Sequence, residues 1–179
     1  MDVEIEAKLK VDSLDEVEAQ LRSLGATFVA IQNQTDQHFD DSRRSMADND
    51  KCLRLRKQDV EGRVKHILTY KGPQQKSNVK KRQENEVEVT DAAQAAKILA
   101  ALGYSPRLTV KKRRGMWRFE GCEIALDSVE GLGTFVEIEG PADERITKVQ
   151  QKLGLSERPH TTRSYAGMIA EKAAAKQTE

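Results

Sequence analysis

The sequence predicts an α+β protein: a sheet of roughly eight antiparallel strands with amphipathic helices packed on one face. Three observations carry this. Charged and apolar residues alternate along segment after segment, from MDVEIEAKLKV at the start to FVEIE at 135–139, and a period of two belongs to strands. Between strands lie segments with apolar residues three and four apart that stop at Leu-Gly. EIEAKLKVDSLDEVEAQLRSLGA, RQENEVEVTDAAQAAKILAALGY and FVEIEGPADERITKVQQKLGL also share one grammar, so a strand–helix unit recurs along the chain.

The first strand runs to about Val11. Ser13 and Glu16 stand in capping-box spacing around Leu14, Val17, Leu21 and Leu24, so a helix follows and stops at Gly25. TFVAIQNQTDQHFD (27–40) reads as a strand, and DSRRSMADND (41–50), polar and aperiodic, as an exposed connecting loop. CLRLRK and VKHILTYKG alternate around DVEGR and form a hairpin. GPQQKSNVK (72–80) reads as a mobile loop. The strand RQENEVEV leads to a capped helix ending at Leu102-Gly103. RLTVKKRRGMWRF and EIALDSV make a second hairpin at Glu120-Gly121; FVEIE leads to a third helix, and TTRSYAGMIAEKAAAK forms the last.

With 179 residues and no linker, the chain reads as a single domain over 1–179. Lys and Arg total 30 against 29 Asp and Glu, and a net charge of +1 argues against a nucleic-acid partner bound through a bulk basic field. Cys52 and Cys122 form no disulfide framework or zinc spacing and read as free thiols. No signal-peptide pattern and no long apolar run is present, so a soluble, cytoplasmic protein without a membrane partner is expected.

Strand parity gathers the charges. Glu4, Glu6 and Lys8 share one face of the first strand; so do Arg54 and Arg56, Lys65 and Lys71, and Arg82, Glu84, Glu86 and Glu88. Glu123 pairs in parity with Asp127, and Glu137 with Glu139. In KKRR either Lys112 and Arg114 or Lys111 and Arg113 take that face. The intervening aliphatic residues need cover from the helices. The charged face is then either open to water or the lining of a closed barrel. A lining of mixed sign suits a metal–polyphosphate: carboxylates are hard ligands for Mg²⁺ or Mn²⁺, and Arg and Lys match phosphate oxygens. No His/Cys cluster indicates zinc, and His38, His66 and His160 read as structural or surface residues.

EIEAK (4–8), TDQHFD, LRLR, TYKGP, RQENEVE, VKKRR, LDSVEGLGTFVEIE and RSYAGMI, in that order along nearly the whole chain, resemble the CYTH superfamily of triphosphate tunnel metalloenzymes. VEGLGTFVEIE and TYKGP look most like its class IV adenylyl cyclase branch. The resemblance implies a closed barrel with a charged tunnel along its axis, helices outside, and a triphosphate bound inside with Mg²⁺ or Mn²⁺. It implies metal-site acids at Glu4, Glu6, Asp127, Glu137 and Glu139, and phosphate-binding cations at Lys8, Arg54, Arg56, Lys71, Lys112 and Arg114. Trp117 matches the aromatic that follows the family's basic pair, which selects Lys112 and Arg114. Arg82, Glu84 and Glu86 take supporting places around the R-x-E position, and His38 stands where the family often has an aromatic.

Two chemistries fit such a tunnel. A cyclase converts ATP to cyclic AMP and pyrophosphate. A triphosphatase hydrolyses tripolyphosphate, a nucleoside triphosphate or thiamine triphosphate. A non-catalytic module for polyphosphate or 5′-triphosphorylated RNA would need fewer acids. The resemblance favours the cyclase and admits a homodimer as well as a monomer.

Overall fold

The computed structural model describes residues 2–75 and 80–176, with side chains for 4–75 and 81–176. Its strands are β1 (Asp2–Val11), β2 (Thr27–Asp40), β3 (Cys52–Val60), β4 (Arg63–Lys71), β5 (Lys80–Glu88), β6 (Ser105–Phe119), β7 (Cys122–Val129) and β8 (Gly133–Glu139). Its α-helices are α1 (Leu14–Ser23), α2 (Ala92–Ala101), α3 (Asp143–Lys152) and α4 (Tyr165–Ala175). The strands close into an antiparallel barrel in the order β1-β5-β4-β3-β2-β6-β7-β8, and β8 pairs back onto β1. Of the two arrangements that parity allowed, the chain adopts the closed one, in which each described strand has a neighbour on both sides.

Local chemistry sets the corners. Both Glu-Gly hairpins have positive φ at two successive residues, Glu61 (53°) and Gly62 (81°), and Glu120 (49°) and Gly121 (77°). These are type I′ turns, whose twist matches the flanking strands. Helices α1, α2 and α3 each end in a Schellman motif at Leu-Gly: Ala26 N–H donates to Leu21 C=O, Tyr104 to Leu99 and Leu155 to Gln150. The three strand–helix units of the sequence are therefore β1-α1, β5-α2 and β8-α3.

Most of the apolar core lies outside the barrel, under α1, α2 and α3. Val17 and Leu21 of α1 and Ile146 and Val149 of α3 pack with Leu9, Trp117, Ile124, Val136 and Ile138 of the wall. Leu99 of α2 covers Phe39 and Leu55, whereas α4 packs on Val110, Val129 and Phe135, which share the inner face with Lys112, Asp127 and Glu137. Burial beneath helices fixes which face each strand turns outward, and the opposite faces must meet inside.

The segment 41–50 is more than an exposed connection. The buried Asp40 carboxylate accepts backbone N–H bonds from Asp41, Met46 and Ala47, and Asp41 accepts from Arg43 and Ser45. A 3₁₀ turn at Ala47–Asn49 follows. In the expected mobile loop, residues 76–79 lie outside the described residues. Gln74, before them, donates from its backbone to Asp50. Among the described residues no helix is long and apolar enough to cross a membrane.

Candidate active site

The barrel encloses a cavity of about 1110 Å³. Of the fourteen residues singled out in the sequence, thirteen line it; Asp127, on the same inner face, is fully buried beneath Arg114 and Tyr165, which bond it. Antiparallel register sets opposite charges side by side on the inner face: Lys8 faces Glu137, Arg114 faces Asp127, and Glu4 faces Arg82. Lys112 and Arg114 point inward, whereas Lys111 and Arg113 are exposed.

Three linked clusters result. In the first, Arg114 grips Asp127 with two hydrogen bonds, Nε to Oδ1 at 2.7 Å and Nη2 to Oδ2 at 2.6 Å, and also bonds Glu137. Lys8 Nζ lies 3.2 Å from Glu137, and Lys112 Nζ lies 3.6 Å from Asp127. The Tyr165 hydroxyl, from α4, donates to Asp127 at 2.9 Å. In the second cluster Arg56 holds Asp36 bidentately at 2.7 and 2.8 Å. Beside it, Arg54 donates to Thr69 and Glu86, both at 3.0 Å. In the third, Lys71 Nζ donates to both oxygens of Glu4 at 2.7 and 2.8 Å and lies 3.0 Å from Glu84.

A charge-lined barrel of this kind has known counterparts: a family model described as the CYTH domain matches residues 2–165. The chain belongs to the CYTH family. A Methanocaldococcus jannaschii protein, provisionally named an adenylate cyclase, is 34% identical over 137 residues, covering 76% of each chain. Adenylate cyclase CyaB of Aeromonas hydrophila is 29% identical over 172 residues, covering 90% of this chain and 86% of that one. The solved structure of the PH1819 protein of Pyrococcus horikoshii superposes with a TM-score of 0.84 at 31% identity, covering 94% of this chain and 99% of that one.

Within this CYTH tunnel the charges are unevenly balanced. Partial burial, and then the repulsion of Glu4 and Glu6, pushes Glu139 up to about 7. Burial raises Glu84 to about 7 as well, with Glu4 opposing the relief that Lys71 gives. Lys112 falls to about 7, through burial and then the neighbouring Arg114. Asp36 stays well below the usual carboxylate range: burial would raise it, but the Arg56 hydrogen bonds and nearby cations prevail.

Crowded carboxylates at Glu4, Glu6 and Glu139 fit a hard divalent cation, which would relieve the repulsion that holds Glu139 high. Among the described residues, no three His, Cys, Asp or Glu side chains already converge as a metal cage. A cation there would have to draw Glu4 away from Lys71, which now donates to both of its oxygens.

Several tunnel residues escaped the sequence reading. Asp36 shares strand parity with His38, so the signal for its inward face was present but unused. His38 itself lies in the tunnel wall, Nδ1 3.5 Å from Cys52 Sγ, and burial and then Arg54 lower it to about 4, so it is neutral at pH 7. Thr69 lies between Arg54 and Glu86. Tyr165 comes from a helix, to which strand parity does not apply. Arg82 does not reach across the tunnel: its Nη2 donates to the Asp50 backbone oxygen at 2.7 Å and carboxylate at 3.0 Å, pinning the segment 41–50.

Proposed function

We propose that the protein is a divalent-metal-dependent enzyme of the class IV adenylyl cyclase type, which converts ATP to cyclic AMP and pyrophosphate. The observation that carries this reading is the placing of six cations, Lys8, Arg54, Arg56, Lys71, Lys112 and Arg114, around one cavity that Glu4, Glu6 and Glu139 also line. Six cations exceed what a neutral metabolite needs and suit the negative charge of a triphosphate. The cyclase label draws on the names of the relatives at 34% and 29% identity.

In this reading Arg54, Arg56 and Arg114 grip phosphoryl oxygens with planar forks, and Lys8, Lys71 and Lys112 add point charges. Glu4, Glu6 and Glu139 would hold a divalent cation, Mg²⁺ or Mn²⁺, with Glu137 and Asp127 joining as Arg114 turns to phosphate. The bound cation supplies charge neutralisation on the triphosphate oxygens. Glu84, Glu86 and Arg82 support the wall. Cyclisation joins the ribose O3′ to the α-phosphorus as the hydroxyl proton passes to water, and breaks the bond from that phosphorus to the α,β-bridging oxygen, which leaves on pyrophosphate. The tunnel cations hold the chain of phosphates in line and stabilise the charge that gathers on pyrophosphate, which is the main source of phosphoryl-transfer catalysis.

The test is incubation with ATP, tripolyphosphate or thiamine triphosphate, each with Mg²⁺ or Mn²⁺, followed by identification of products. Cyclic AMP with pyrophosphate supports the cyclase. Orthophosphate replaces it with a triphosphatase, and binding without turnover replaces both with a binding module. Glu6→Ala, melting cooperatively like the parent, is expected to lose metal-dependent turnover; parental rates in that variant would remove Glu6 from the site.

A further inference from the structure

The six tunnel cations are not held alike. Two arginines fix themselves with forks, Arg56 on Asp36 and Arg114 on Asp127, and Arg54 donates through Nη2 to both Thr69 and Glu86. Lys71 has both oxygens of Glu4. Lys8 and Lys112 have weaker carboxylate contacts, at 3.2 Å to Glu137 and 3.6 Å to Asp127. Both instead stand over one aromatic ring, with the Lys8 ammonium 4.2 Å and the Lys112 ammonium 5.0 Å from the centroid of Tyr165.

We propose that Tyr165 is a positioning residue of the triphosphate seat, carried into the barrel by α4 so that its ring fixes where the Lys8 and Lys112 ammoniums stand. The inference rests on the reading of the tunnel as a triphosphate site.

The ring is itself immobilised on every side. Its hydroxyl donates to Asp127, which Arg114 grips from the other side, and Phe135 meets it edge-on at 5.1 Å. Ser164 caps the helix start by accepting from Gly167 N–H. The segment before α4 is stitched to β1: Thr161 N–H donates to the Lys8 carbonyl at 2.8 Å, and Lys8 Nζ donates to the Arg163 carbonyl at 3.3 Å. A lysine on a four-carbon stem gains most from such a fixture, because its ammonium is otherwise free to swing. A carboxylate would fix it too, but would cancel the charge that phosphate needs. A neutral ring attracts the cation through its quadrupole and leaves that charge available.

The test is a double-mutant cycle read by titration of the full chain with tripolyphosphate in the presence of Mg²⁺. Tyr165→Leu is expected to weaken binding about five- to thirtyfold, the span from an exposed to a desolvated cation–π contact, and Tyr165→Phe to recover most of that loss. Because the ring acts through the two lysines, Tyr165→Leu should weaken binding by less in the Lys8→Met background than in the parent. Simple packing of Tyr165 would instead lower the melting temperature and leave the two losses additive, which overturns the proposal; so does parental affinity in Tyr165→Leu. Should the leucine variant not fold, Tyr165→Met runs the same cycle, filling the space with a flexible chain that lacks a ring face. A parent that fails to bind tripolyphosphate overturns the reading of the tunnel and this inference with it. A parent that binds, with an additive cycle, overturns this inference alone.

Discussion

Lys112 is the tunnel cation held under the greatest tension, buried beside Arg114 and Arg56 with Asp127 at 3.6 Å. Burial, and then Arg114, lowers its pKa from 10.5 to about 7. Between those values the unfolded chain binds a proton that the folded chain does not, so stability rises as pH climbs from about 7 to 10.5. Below about 7 the folded protein carries the full penalty of a charged buried ammonium. Lys112→Met removes that penalty while Asp127 keeps Arg114 and Tyr165. The variant is expected to melt ~2–4 °C above the parent at pH 6, with the gap closing between pH 7 and 10. It should also bind tripolyphosphate more weakly. Thermal melts across that range check the sign, and a gap that does not change with pH would refute it.

At the scale of elements, the strand–helix units were legible in the sequence for a physical reason. Alternation assigns each residue of a strand to a face, so Glu4, Glu6 and Lys8 had to point together. The Leu-Gly stops marked helix ends because only a residue tolerant of positive φ closes a Schellman motif cheaply. Partners across the barrel were not legible. Asp36 meets Arg56 because β2 pairs with β3 in one register, and neither strand's own alternation encodes that. Tyr165 enters the tunnel from a helix, and Asp40 orders the segment after it through backbone donors that no side-chain pattern reveals. Two glycines separate conformational from steric demands. A Cβ at Gly103, with φ +90°, meets nothing within 4 Å, so Gly103→Ala should cost only the backbone term, about 1 kcal/mol. At Gly140, just past β8, a Cβ would come 2.8 Å from Cys122 Sγ and 3.1 Å from Ile146 Cγ1, and crowding of α3 against the wall should cost about 1–3 kcal/mol. Denaturant melts are expected to rank Gly140→Ala below Gly103→Ala; the reverse order would contradict the packing of α3.

At the scale of the whole molecule, the cations of the tunnel are all engaged in ion pairs. Each of the six proposed phosphate-binding cations lies within 4.0 Å of a carboxylate. A triphosphate arriving alone would take cations from their acids and leave buried carboxylates uncompensated. A divalent ion arriving alone would take acids from their cations and leave arginines and lysines facing one another. Each half-exchange is costly because an unpaired buried charge is costly. Together, the two ligands exchange every partner and keep the balance. Metal and triphosphate should therefore bind cooperatively, each strengthening the other by the same factor, at least about tenfold. Glu139 adds a proton to the account. Held at about 7 by partial burial and by Glu4 and Glu6, it should release its proton when a cation arrives, so the metal's affinity should rise as pH climbs towards 7 and level off above it. Calorimetric titration of Mg²⁺ with and without tripolyphosphate, corrected for their complex in solution, measures the coupling. Repeating it at pH 6 in buffers of different ionisation enthalpy counts the protons, and Glu139→Gln should abolish most of that release. Equal Mg²⁺ affinities in the two arms would mean that the acids and cations of this tunnel do not exchange partners.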